Sequence, residues 1–156
     1  MSEAIGQFID QNFPGFMDTL KTLVRIPSVS AAPYPREELV RSAKAVLAAM
    51  TEAGLEGCEI LDLPGAHPFV YGEWLHAPRK PTLLLYAHHD VQPPGRPEHW
   101  KTPPFEPTLR ADGRLYARGV VDDKAGIVTH LAAIRTWLAT AGRLPVNVKL
   151  IVDGEE

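Results

Sequence analysis

The pattern of apolar and polar positions divides the chain into alternating helical and extended segments. Over residues 3–26, Ile5, Phe8, Ile9, Phe16, Leu20, Leu23 and Val24 recur close to the helical period. Pro14 is expected to start or kink a second helical segment, and Pro27 to end it. Residues 36–53 repeat the signal through Leu39, Ala43, Val46, Leu47 and Met50. There Glu37 and Arg41 are spaced for an i,i+4 pair, and Gly54 is a natural C-terminal stop. Residues 57–62 and 68–75 read as strands. Residues 82–88, TLLLYAH, form an unbroken apolar run, which predicts a strand covered on both faces in the middle of a sheet. The Asp112-Gly113 step between apolar stretches predicts a hairpin. Asp122 and Asp123 then open a helix with Ile127, Leu131, Ile134, Leu138 and Ala141 on its buried face, closed by Gly142. Val146 to Val152 read as a further central strand.

This order argues for an α/β domain with a mixed sheet flanked by helices. The chain has 156 residues, which suits one domain, and at that length roughly two thirds of the unfolded surface can be buried. Apolar residues make up 45 % and the net charge is only −3, so disorder is excluded and nothing invites a nucleic-acid or acidic-membrane partner. The single cysteine, Cys58, excludes an internal disulfide framework and a cysteine-rich zinc site, and reads as a small buried hydrophobe. The apolar runs fall far short of the roughly 20 residues that a membrane span needs. The opening MSEAIGQFID has neither the basic cluster nor the apolar stretch of a secretory signal, so a cytoplasmic location is expected. Most of the prolines crowd into residues 64–107, which predicts loops and short strands there.

Three polar clusters fall at the ends of predicted elements. In Ala87-His88-His89-Asp90, side chains alternate along the strand, so His88 and Asp90 face one way and His89 the other. A histidine and a carboxylate two apart can act as a metal ligand and the partner that orients it. The carboxyl ends of strands are also where open α/β sheets bind their substrates. The face of His89 argues against a ligand role and leaves substrate contact open. In Arg118-Gly119-Val120-Val121-Asp122-Asp123-Lys124, the aspartates read either as helix N-caps or as a carboxylate bridge between two divalent ions. Glu155-Glu156 reads either as solvated surface acid or as the general base of a metal-dependent hydrolase. Each cluster alone has a plain structural reading. Their coincidence after three predicted strands favours the metal. His67, His76, His99 and His130 read as structural or surface residues.

Taken together, these segments resemble the M20 metallopeptidase family, the group of aminoacylases, carboxypeptidases and dipeptidases. The resemblance covers most of the chain. It runs through Arg25-Ile26-Pro27-Ser28-Val29-Ser30, then Leu84 to Pro93 with its H-x-D motif, Trp100, and Pro104-Phe105-Glu106-Pro107. It continues through Asp112 to Tyr116, Arg118-Gly119, Asp122-Asp123-Lys124 as a D-x-K motif, and Asp153-Gly154-Glu155-Glu156. HHDVQP followed by Trp and PFEP is most similar to the dipeptidase branch, which includes carnosinase-like enzymes. Ala117 and Ala125 stand where the family often has glycine.

The resemblance implies a zinc-exopeptidase-like catalytic domain, of which residues 1–156 form the N-terminal portion without the C-terminal half or the lid and dimerisation domain. It implies two zinc ions per intact site, with cobalt or manganese as alternatives, a small peptide substrate, and a homodimer for the full-length protein. His88 and Asp122 would be metal ligands, with Asp122 bridging and a non-proline cis peptide bond following it. Asp90 would act in catalysis by holding His88, and Glu156 as general base; the family's spacing favours Glu156 over Glu155. With only His88 and Asp122 as sure ligands, the chain by itself is expected to bind metal weakly and to have little or no peptidase activity. Rival readings are an N-acyl-amino-acid amidohydrolase of the same fold, a non-catalytic remnant or binding fragment, and a phosphoesterase. The last lacks a phosphate-cradling loop.

Overall fold

The computed structural model describes residues 2–156. Helix α1 spans Ser2–Val24 and runs through Pro14 rather than restarting there. Helix α2 spans Arg36–Ala53 and is closed by Gly54 in the left-handed conformation, φ 96°. The ion pair on its surface joins Arg41 to Glu38, not to Glu37. The strands are β1 (Glu56–Leu61), β2 (Phe69–Trp74), β3 (Thr82–His88), β4 (Thr108–Leu109), β5 (Leu115–Tyr116) and β6 (Asn147–Asp153), with α3 (Lys124–Ala141) before β6. The short β4–β5 hairpin turns through Asp112 and Gly113, as the sequence predicts.

The four-stranded sheet has the order β1-β2-β6-β3. β1, β2 and β6 pair antiparallel, and β3 runs parallel to β6, so the sheet is mixed. Burial alternates strictly along β2 and β6, as it must when one face is covered and the other is not. On the covered face, Val70, Trp74, Ala87, Val148, Leu150 and Val152 form one core with Leu23 and Val24 of α1, Val46 and Met50 of α2, and Ile127, Leu131 and Ile134 of α3. Burying that apolar surface is the main force holding the layers together.

Two expectations change here. β3 is an edge strand of the described sheet, not a central one, and its outward Leu84 and Tyr86 are 64 % and 52 % exposed. An apolar run records only that a strand is hydrophobic, and among the described residues the three helices pack on one face. Cys58 is half-buried at the margin of the core, against Gly72, and this partial burial pushes its thiol pKa up. Among the described residues, no helix is long and apolar enough to cross a membrane.

Candidate metal centre

Because β3 and β6 are parallel, their C-terminal ends lie together, with His88 opposite Asp153 in the register. The chain leaving β3 stays beside β6, since His89 N–H donates to Asp153 O at 2.7 Å. It then pairs with the segment after α1: Val29 bridges Val91 in parallel, and Val91 N–H donates to Ser28 O at 2.9 Å. The start of α3 reaches the same place through a turn at Gly119. There φ is +76°, and an added Cβ would meet Val91 Cγ1 at 2.5 Å, so glycine is required on both counts.

The buried His88 imidazole is held between two carboxylates. Nδ1 lies 3.1 Å from Asp90 Oδ1, and Nε2 lies 3.1 Å from Asp122 Oδ1. Glu156 Oε2 is 3.8 Å from the same Nε2. Burial pulls the His88 pKa down, but the bond to Asp122 and the charge of Asp90 outweigh it, and the net shift is upward. Asp90 is buried, while the Asp122 carboxylate is open to solvent. The four residues singled out in the sequence, His88, Asp90, Asp122 and Glu156, thus meet at one point. Glu155 turns away from it, with Oε2 3.8 Å from His67 Nε2.

The paired aspartates do not cap α3 with their side chains. Asp122 faces His88, and Asp123 Oδ2 accepts the His88 backbone N–H at 3.3 Å. The bond between them is cis, as the resemblance implies. Lys124 is fully buried, and its Nζ donates to Leu23 O at 2.9 Å and Ile26 O at 2.8 Å, tying α3 to the end of α1. Burial pushes its pKa down to about 7. His89 is fully buried, with Nε2 2.9 Å from Pro68 O, so it packs within the scaffold.

Sequence reasoning missed three contributors. His67, read as structural or surface, reaches the edge of the site, with Nε2 3.2 Å from Ser30 O. Ser30 Oγ–H donates to Asp90 Oδ2 at 2.6 Å, and Ser28 Oγ–H donates to His89 O at 2.6 Å. The alternation Ser28-Val29-Ser30 was the available signal, because in an extended segment it places both hydroxyls on one side.

The donor chemistry suits a divalent ion of the zinc, cobalt or manganese type, which takes imidazole nitrogen and carboxylate oxygen. With Nδ1 engaged by Asp90, Nε2 is the nitrogen left for a metal, and the oxygens of Asp122 and Glu156 already face it. Among the described residues, no group of three or more His, Cys, Asp or Glu side chains closes into a metal cage.

Residues 84–156 match the sequence profile of Peptidase family M20/M25/M40. The Beta-Ala-His dipeptidase of Rattus norvegicus is 34 % identical over 166 residues, covering 99 % of this chain and 33 % of that protein. The Cys-Gly metallodipeptidase dug1 of Schizosaccharomyces pombe is 33 % identical over 160 residues, covering 96 % of this chain and 33 % of that protein. Among solved structures, human carnosine dipeptidase 1 superposes with a TM-score of 0.88 at 33 % identity, over 97 % of this chain and 34 % of that one. The chain thus spans about a third of the length of the curated relatives it matches. With near-complete coverage of the chain by M20 dipeptidases in sequence and in fold, this chain belongs to the M20 peptidase family.

Proposed function

We propose that the protein acts in metal-dependent hydrolysis of a dipeptide or a related amide, with His88 and Asp122 as ligands in a two-zinc site. The observation that carries this reading is the His88 imidazole, buried and clamped by Asp90 on Nδ1 while Nε2 faces the open carboxylate of Asp122. A divalent ion bound there supplies Lewis acidity at the scissile carbonyl and acidifies a water molecule. Asp90 holds the ring so that Nε2 keeps its direction. Asp122 projects from the turn before α3 with its carboxylate exposed, which leaves an oxygen for a second ion. Glu156 takes the proton of the attacking water at its carboxylate and returns it to the leaving amine. The dipeptides named for the relatives, β-Ala-His and Cys-Gly, are the first substrates to try.

His88 and Asp122 give two donors where a zinc site takes four, so the 156-residue chain by itself binds metal weakly and turns over little peptide. The test is zinc and cobalt titration of the chain beside His88→Ala and Asp122→Ala. Saturable binding that both substitutions weaken supports the reading. Binding that neither substitution changes overturns it. Robust zinc-dependent turnover of dipeptides by the chain would overturn the expectation of weakness while leaving the chemistry in place.

A further inference from the structure

Asp90 is 2 % exposed, so the protein and not water must satisfy its carboxylate. Oδ1 faces His88 Nδ1 and also accepts the Glu156 backbone N–H at 3.3 Å. Among the described residues, the one side chain that donates to Oδ2 is Ser30, at 2.6 Å. The terminal torsion of an aspartate is broad and close to two-fold, so the tilt at which Oδ1 meets the imidazole is not set by the side chain itself. It depends on the groups that meet the two oxygens, and at Oδ2 that group is the Ser30 hydroxyl.

Ser30 is in turn held from two sides. The Val29–Val91 bridge and the Ser28 bonds to Val91 and His89 fasten its segment to the end of β3. From the loop before β2, His67 Nε2 lies 3.2 Å from the Ser30 carbonyl oxygen. The hydroxyl is therefore placed by the backbone on one side of it and by an imidazole on the other.

We propose that Ser30 is a positioning residue for His88, acting through Asp90. The inference rests on the reading of His88 as a metal ligand only for its effect on affinity; its effect on the ring stands without any metal. Removing the hydroxyl leaves a buried charged oxygen without a donor, which is costly. The carboxylate rotates to recover one, and Oδ1 leaves Nδ1. A neutral imidazole carries one proton, and the hydrogen bond at one nitrogen decides which nitrogen keeps it. Loss of the Asp90 bond leaves Asp122 Oδ1, 3.1 Å from Nε2, as the remaining acceptor, so the proton moves toward Nε2 and its lone pair is lost from part of the population.

The test uses the full chain with Ser30→Ala, Ser30→Cys and Ser30→Thr. The first readout is the pair of ¹⁵N shifts of the His88 ring in metal-free protein at alkaline pH, where the imidazole is neutral. The wild type and Ser30→Thr are expected to hold more of the proton on Nδ1, shared against Asp122 at Nε2, and Ser30→Ala to shift it toward Nε2. Ser30→Cys, which keeps the volume but is a weak donor, is expected to fall between them. The second readout is zinc affinity by competition with a chromophoric chelator, expected to fall about tenfold in Ser30→Ala and to return in Ser30→Thr. A Ser30→Ala protein with the wild-type tautomer and affinity overturns the proposal. Should Ser30→Ala fail to fold, a Ser30→Cys protein indistinguishable from Ser30→Thr overturns it as well. If His88→Ala binds zinc as the wild type does, the ligand reading of His88 fails, and the ring shifts still decide the role of Ser30.

Discussion

Gly126 leaves open the space that the Asp123 carboxylate occupies; a side chain at 126 would overlap it. That carboxylate accepts the backbone N–H of His88, so a residue without a side chain on α3 fixes the peptide that carries the imidazole. Replacing a helical glycine with alanine ordinarily gains up to about 1 kcal/mol. Here the gain is offset by displacing Asp123. Gly126→Ala is therefore expected to change the unfolding free energy by less than about 1 kcal/mol. It should nonetheless abolish the exchange protection of the His88 amide and weaken zinc binding. Hydrogen exchange at that amide checks this, and unchanged protection would show that Asp123 does not depend on the glycine.

Lys124 gives a pH-dependent prediction. A neutral amine has two N–H donors, and Nζ has two carbonyl acceptors, Leu23 O and Ile26 O, in a fully buried setting. Burial lowers its pKa from the ordinary 10.5 to about 7. Between those values the unfolded chain holds a proton that the folded chain lacks, so the Lys124 contribution to stability rises with pH across that window. Below about 7 both states are protonated and the contribution is flat. Lys124→Met leaves two buried carbonyls unpaired and should lose about 1–3 kcal/mol at neutral pH. Urea unfolding of both proteins at neutral pH and near pH 10 should show the gap widening as pH rises. A gap that narrows would mean that the amine stays charged inside the fold.

Much of this was legible in the sequence, for reasons that can be named. Helical periodicity and the stops at Gly54 and Gly142 set α2 and α3, because a left-handed C-terminal residue favours glycine whatever the tertiary context. The register of His88 with Asp90 followed from strand alternation. The route of α1 through Pro14 was not legible, since packing of Leu20, Leu23 and Val24 overrides one lost hydrogen bond. Nor was the edge position of β3, because hydrophobicity does not record which faces find partners. His67 escaped because its role comes from a contact with Ser30, distant in the chain, and no local pattern encodes that.

The two terminal glutamates separate by geometry. Glu156 lies within 3.8 Å of His88 Nε2, and its backbone N–H reaches Asp90, whereas Glu155 faces His67. In any form of the protein that turns over dipeptide, Glu156→Gln should lower kcat by about 10²- to 10⁴-fold, the usual worth of a positioned general base. Glu155→Gln should leave kcat near that of the wild type. The reverse ranking, read from steady-state kinetics with saturating zinc, would move the base to Glu155.

The sheet face opposite the helices is apolar and exposed along β3. Leu84 and Tyr86 stand out from β3 on this face, and among the described residues β3 pairs with β6 alone, so the other side of the strand has no strand partner; along it side chains meet the His88 N–H, through Asp123, and the Tyr86 carbonyl, through His130. An edge strand that is both apolar and unprotected by charge is a template for pairing with another chain. The charges beside β3 on this face, Lys149 and Asp153 opposite Leu84 and His88 in the register, stand on β6, on the paired side of the strand, and do not shield its open edge. The 156-residue chain is therefore expected to self-associate as its concentration rises. Leu84→Lys places a charge on the strand without touching the core, so it should suppress association and shift the unfolding free energy by no more than about 0.5 kcal/mol. Sedimentation velocity across a concentration series makes the comparison. A wild-type chain that stays monomeric throughout, like Leu84→Lys, would show that the edge is protected by something other than charge.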